Sequence, residues 1–238
     1  MDSAADTAQD PAAAPDADSP SETAYRQLRD RLLAGSFPLT GRLAEERLAV
    51  LVGVSRTPVR HALIRLHSEG LISRHRDGGY CPAVPDPNAI ASLYEVRRVL
   101  EIGALWRPAE AGVRHDRAML DRLREDWEAL RRDPPVADAG FVSVGEDFHV
   151  RLAKAAGNDV LVELLLSVNA RVRVVRIHDC LTDDRIQRTI AEHLRLLDAV
   201  LADDLEQAER IFRAHLATSK QVAEERALRA IARMATLG

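Results

Sequence analysis

The chain is 238 residues long, with 33 Lys and Arg against 37 Asp and Glu, a net charge of −4 and only 4 % aromatic residues. That length allows one large domain or two smaller ones, and a composition dominated by Ala, Leu, Val and Arg predicts a mainly α, soluble protein. No apolar run approaches the ~18 residues a bilayer span needs, the N-terminus lacks the basic start and apolar core of a signal peptide, and Cys81 and Cys180 make neither a disulfide framework nor a metal spacing; no membrane association and a cytoplasmic setting are expected.

Residues 1–20 carry five Asp and no base, show no periodicity, and are expected to be a disordered acidic tail. Residues 21–85 reverse the sign: ten Lys/Arg meet six Asp/Glu, a net of +4, which suits a module that binds a polyanion. Within them, "ETAYRQLRDRLLA" places Ala24, Leu28, Leu32 and Leu33 on one helical face and ends at Gly35. Glu45–Val52 reads as a short helix closed by Gly53. After a Val-Ser turn comes a helix of about Arg56–Glu69, with Val59, Leu63 and Leu66 inward and Gly70 as its stop. "LISRHRDGGYCPAV" then alternates about Asp77-Gly78-Gly79, a hairpin signal. Helix, short helix, turn, helix, hairpin is the order of a winged helix-turn-helix with a small β-hairpin wing.

The helix beginning at Arg56 places Arg56 and Arg60 near an end where the helix dipole favours acids. Beside DNA the preference reverses, because arginine holds guanine O6 and N7 bidentately and pairs with phosphate. Ser55 and Thr57 can cap the helix or bond a phosphate. The candidate DNA contacts are therefore Ser55, Arg56, Thr57 and Arg60, with Arg74, Arg76 and Gly78 from the hairpin. A solvated, salt-bridged helix start is the plainer reading, but it leaves the motif, the basic charge and the hairpin unconnected.

Pro82, Pro85 and Pro87 mark a linker, and residues 86–238 read as an all-α bundle. Its first helix, within 87–112, is expected to bury Ile90, Leu93, Val96, Leu100 and Leu105. Residues 116–132 follow with Met119, Leu123, Trp127 and Leu130, and then segments 141–156, 159–178, 183–202 and 204–233. These stripes are expected to close on one another without help from residues 21–85.

Of eight histidines, three lie on apolar stripes: His149 beside Phe148 and Leu152, His193 beside Ile190 and Leu197, and His215 beside Phe212 and Leu216. A single histidine so placed is most often a satisfied core residue. Three from three helices of one bundle can instead converge on a divalent metal; spacing leaves both readings open.

At "YRQLRDRLLAGSFPLTGRLAEERLAVLVGVSRTPVRHALIRLHSEGLI" the chain closely resembles the GntR winged-helix DNA-binding domain. At "YEVRRVLE", "DFHVRLAKAAGN" and "AEHLRLLDAVLADDLEQAERIFRAHL" it resembles the FCD effector domain of the FadR subfamily. The resemblance spans about residues 22–232. It implies a homodimeric transcriptional regulator, a repressor in the leading reading, that binds operator DNA and answers a small effector, often a carboxylate. It also implies a metal site, Zn or Ni, held by His149, His193 and His215 with an aspartate one turn before the first of them. Here that position is Gly145, and Glu146 and Asp147 are rotated about 100° and 200° from it. Arg97 matches an anion-pairing position, with Glu101 one turn away as its competing partner; Asn169 and Arg173 complete the expected effector contacts. A metal-dependent hydrolase with an accessory DNA-binding module and a direct metal sensor remain as alternatives.

Overall fold

The computed structural model describes residues 19–39, 41–83, 86–136, 140–176 and 182–236. The expected tail up to residue 18, together with Pro85, His178 and Cys180, lies outside them. Nine helices and one hairpin are found among the described residues: α1 (Pro20–Leu33), α2 (Glu45–Val52), α3 (Arg56–Ser68), β1 (Ile72–Arg74), β2 (Tyr80–Pro82), α4 (Pro87–Glu110), α5 (Arg117–Arg132), α6 (Gly140–Ala155), α7 (Asp159–Arg176), α8 (Asp183–Leu201) and α9 (Leu205–Thr236).

The first helix starts earlier than its apolar pattern suggests. Ser19 accepts the Glu22 backbone N–H at 3.2 Å and Pro20 takes the first helical position, where its missing N–H costs nothing. Leu28 and Leu32 of α1, Val52 of α2, and Val59, Leu63 and Leu66 of α3 close one core, capped by Ile72 and Tyr80 of the hairpin. β1 and β2 pair antiparallel with Ser73 opposite Cys81, and Gly78 (φ 84°) and Gly79 (φ 79°) adopt the left-handed backbone that the tight tip requires.

The second part is a helical bundle whose largest core gathers Leu105, Leu123, Phe148, Leu197 and Phe212 from five helices. Two expectations change here. Val96 is 46 % exposed. The buried stripe of α4 runs instead through Ile90, Tyr94, Arg97, Glu101, Leu105 and Pro108, so two charged residues sit where an apolar side chain was expected. The bundle is also not independent of the winged helix: Ala170 and Val174 of α7 pack into the core formed by α1, α3 and the hairpin. α7 thus has two packed faces, the other carrying Val172 against Ile90 and Tyr94 of α4. No helix among the described residues is long and apolar enough to cross a membrane.

Candidate functional site

His149 comes from α6, His193 from α8 and His215 from α9, and each is buried by the apolar neighbours that its helix presents to the core. They meet: one ring nitrogen from each lies within 4.8 Å of the others. His193 Nε2 stands 3.2 Å from His215 Nε2. The second nitrogens of two of them are held by carboxylates. His149 Nδ1 bonds Glu101, and His215 Nδ1 bonds Glu192 at 2.7 Å. Such carboxylate partners fix the tautomer and leave Nε2 free as a ligand. His193 stacks on Phe148 at 3.7 Å between ring centres, and its buried Nδ1 has no partner among the described residues.

Burial pushes His149 and His193 well below the usual imidazole range, with Arg97 adding to the effect on His149 and His215 on His193. Burial lowers His215 as well, against the opposing pull of Glu192. All three are therefore neutral imidazoles at neutral pH, the protonation state that binds metal.

The histidines line a cavity together with Arg97, Gly145, Arg176, Arg185 and Arg226. Its interior measures about 30 Å³, room for one or two water-sized groups. A Cβ placed on Gly145 would meet nothing within 4 Å, so the place of the expected aspartate is open space. Arg97 makes the expected pair with Glu101, its Nε donating to Oε1 at 2.8 Å, and its side chain also lines the cavity. Glu146 points away from the histidines onto Arg173, and Asp147 lies exposed near Arg151. Asn169 and Arg173 are not in this pocket. They line a separate cavity against α1, because the face of α7 that carries them turns toward the winged helix.

The sequence reading missed Arg176, Arg185 and Arg226, and the roles of Glu101 and Glu192. A helical-wheel signal existed for Glu101, which falls on the stripe of Tyr94 and Leu105. For the arginines none did: Arg176 stands between Val175 and Ile177, while Arg185 and Arg226 each follow an acid, so no shared pattern links them.

On the other module, Ser55, Arg56, Thr57 and Arg60 are all exposed at the start of α3. Ser55 occupies the N-cap without a side-chain cap bond, so its hydroxyl is available. Arg56 reaches Glu46 at 2.9 Å and Arg60 pairs with Glu45 at 3.0 Å. Arg74 lies over the Tyr80 ring, Arg76 is almost fully exposed, and Gly78 forms the hairpin tip. Arg42, which sequence reasoning passed over, brings its guanidinium beside Gly79.

Residues 20–81 match the family of bacterial regulatory proteins called gntR, and residues 92–218 match the FCD domain. The chain belongs to the GntR family and carries an FCD domain. Among similar GntR-type proteins is the regulator LutR of Bacillus subtilis (strain 168), 30 % identical over 201 residues, covering 74 % of this chain and 88 % of LutR. Another is the uncharacterized regulator YdhC of the same organism, 26 % identical over 191 residues, covering 80 % of this chain and 85 % of YdhC. The solved structure of Escherichia coli McbR/YncC shares the fold, with a TM-score of 0.70 at 20 % identity over 88 % of this chain and 99 % of that one. The family makes α3 the helix of a DNA-binding module and the bundle an effector domain, so this chain is a transcriptional regulator rather than an enzyme.

Proposed function

We propose that this GntR-family regulator is a cytoplasmic homodimer that represses transcription and senses a small carboxylate through its bundle. Residues 21–85 form the DNA-binding domain and residues 86–238 the effector and dimerisation domain. The observation that carries the reading is the convergence of three neutral histidines on a cavity edged by four arginines.

The donor set fits a divalent metal. Three imidazoles, two of them backed by carboxylates, suit Zn or Ni, and the buried, unpartnered Nδ1 of His193 marks the same place as polar and unsatisfied. His149, His193 and His215 would hold the ion, which would supply a Lewis-acid anchor for a carboxylate. Gly145 leaves one ligand position open, which water or the effector fills. Arg97, with Arg176, Arg185 and Arg226 around it, supplies the positive field that selects an anion.

At the other end, Ser55, Arg56, Thr57 and Arg60 enter the major groove at the start of α3, while Arg74, Arg76 and Gly78 bring the wing to the backbone. Half-sites of a dimer lie about 34 Å apart per helical turn. Effector binding that shifts α6 and α7 tilts the winged helix through the Ala170–Val174 contact and spoils that spacing.

Isothermal titration of chelator-stripped protein with Zn and Ni, followed by a thermal-shift screen of small carboxylic acids with and without metal, tests the pocket. Metal binding lost in His193→Ala, together with carboxylate binding lost in Arg97→Ala, is the expected pair of results. Neither metal nor any carboxylate binding to wild type would overturn the reading. The hydrolase and metal-sensor alternatives gain no observation from the site.

A further inference from the structure

The cavity that holds Asn169 and Arg173 lies between the two modules. α1 of the winged helix contributes Arg29 and Leu33, and α6 and α7 of the bundle contribute Glu146, Asn169 and Arg173. It measures about 190 Å³, several times the histidine pocket. An adjoining cleft shares Arg29, Leu33 and Arg173 and is the more open of the two, giving a route from solvent.

Three of its buried polar atoms have no partner among the described residues. Asn169 is 3 % exposed, and neither its amide nitrogen nor its oxygen has a hydrogen bond. Glu146 is 3 % exposed; one oxygen is taken by Arg173 and the other, Oε1, has none. Buried amide and carboxylate atoms are costly to leave unmatched, so they mark a place built to be met by a polar molecule. On the α1 side Arg29 is half-buried and makes no ion pair among the described residues. Leu33, Val150 and Leu166 supply an apolar wall.

We propose that this inter-domain cavity is a second ligand site that binds an α-amino acid with an apolar side chain. The charges dictate the class. Glu146 and Arg173 neutralise each other, which leaves an acceptor pair, Glu146 Oε1 and Asn169 Oδ1, and a donor pair, Asn169 Nδ2 and Arg29. An ammonium group satisfies the first pair and a carboxylate the second, while the side chain lies against Leu33, Val150 and Leu166. A simple carboxylate leaves Glu146 Oε1 unmatched, and a simple amine leaves Arg29 unmatched. Because the site takes one wall from α1 and two from the bundle, its ligand ties the DNA-binding module to the effector module in one arrangement.

The test uses full-length, chelator-stripped protein with L-leucine, 4-methylpentanoate and 3-methylbutylamine as probes, read by thermal shift and isothermal titration. L-Leucine is expected to raise the unfolding midpoint in a concentration-dependent way, with the acid and the amine giving far smaller shifts. Arg29→Ala, at the rim of the cavity, and Asn169→Leu, which replaces the amide by an apolar group of similar size, should each weaken leucine binding about tenfold or more. His193→Ala should leave it unchanged, which separates this site from the histidine pocket. The proposal is overturned if L-leucine, L-methionine and L-phenylalanine all fail to bind, if 4-methylpentanoate binds as well as leucine, if leucine binding survives Arg29→Ala and Asn169→Leu, or if it is lost in His193→Ala.

Discussion

Arg60 lies bidentate on Glu45: its Nε donates to Oε1 at 3.1 Å and its Nη2 to Oε2 at 3.0 Å. Arg56 beside it pairs with Glu46. The acids of α2 therefore hold the two arginines of α3 that the helix dipole disfavours, and they hold them at the surface. Exposed pairs of this kind add little to stability and are screened by salt, so DNA can take the arginines over at small cost.

Arg60→Ala should weaken binding to an operator selected from a random duplex pool by about tenfold or more. Glu45→Gln should leave the unfolding midpoint close to wild type, tighten binding to unrelated DNA, and steepen its salt dependence, because the freed arginines meet phosphate. Fluorescence anisotropy across a salt series reads both. Unchanged affinity in Arg60→Ala, with folding intact, removes this residue from the interface.

Glu101 joins Arg97 to His149 in a fully buried chain of polar contacts. Removing one member of a buried ion pair leaves the other uncompensated, at a cost of about 3–5 kcal/mol. Glu101→Ala should lower unfolding stability by that order in denaturant titration. Glu101→Gln should cost less, yet still weaken Zn affinity by about tenfold to a hundredfold, because His149 loses the carboxylate that fixes its tautomer. Unaltered Zn affinity in Glu101→Gln would show that Glu101 is structural only.

The three histidines also set a pH dependence. Their folded pKa values are lowered from the ordinary imidazole range, chiefly by burial. Below about pH 6.5 the unfolded chain binds protons that the folded chain does not, so stability falls as pH drops toward the folded pKa values and is flat above the unfolded one. Each histidine contributes at most about 1.4 kcal/mol per pH unit in that window. Glu101, raised by burial, works in the opposite direction. The test is therefore a difference: metal-stripped His193→Gln should lose less stability than metal-stripped wild type between pH 7 and about pH 5. Parallel denaturation curves at both pH values would refute the assignment.

Most of the fold was legible because its signals are local. Gly53 and Gly70 stop α2 and α3, and both have positive φ, 72° and 74°. The histidines were legible as well, since each stands out against an apolar stripe. The reading failed where the partner is distant in sequence. Val96 is apolar and at helical spacing, yet the buried face of α4 lies one residue away, where Arg97 and Glu101 are satisfied by each other and by His149 on α6. Arg173 follows Asn169 by one turn of α7 and reads as part of the same site as Arg97. Only the packing of α7 between bundle and winged helix shows that it faces Glu146 instead.

Gly145 gives the sharpest test of the metal reading. It lies on α6 one turn before His149, it lines the histidine cavity, and a Cβ there has open space around it. Side chains at i and i+4 share a helix face, so an aspartate at this position can join His149 on one ion. Gly also weakens a helix interior by about 0.5–1 kcal/mol relative to Ala, so adding a side chain need not destabilise α6. Gly145→Asp should tighten Zn or Ni binding about tenfold or more, since a fourth ligand is added to three already in place. The new carboxylate also brings negative charge among Arg97, Arg176, Arg185 and Arg226, so binding of a small carboxylate to the metal-free variant should fall, and metal should restore it. His193→Ala should abolish metal binding in both backgrounds. Isothermal titration of the stripped proteins decides it. Equal metal affinity for wild type and Gly145→Asp, or no binding in either, would mean that the three histidines act as neutral hydrogen-bonding groups in an anion pocket governed by its arginines.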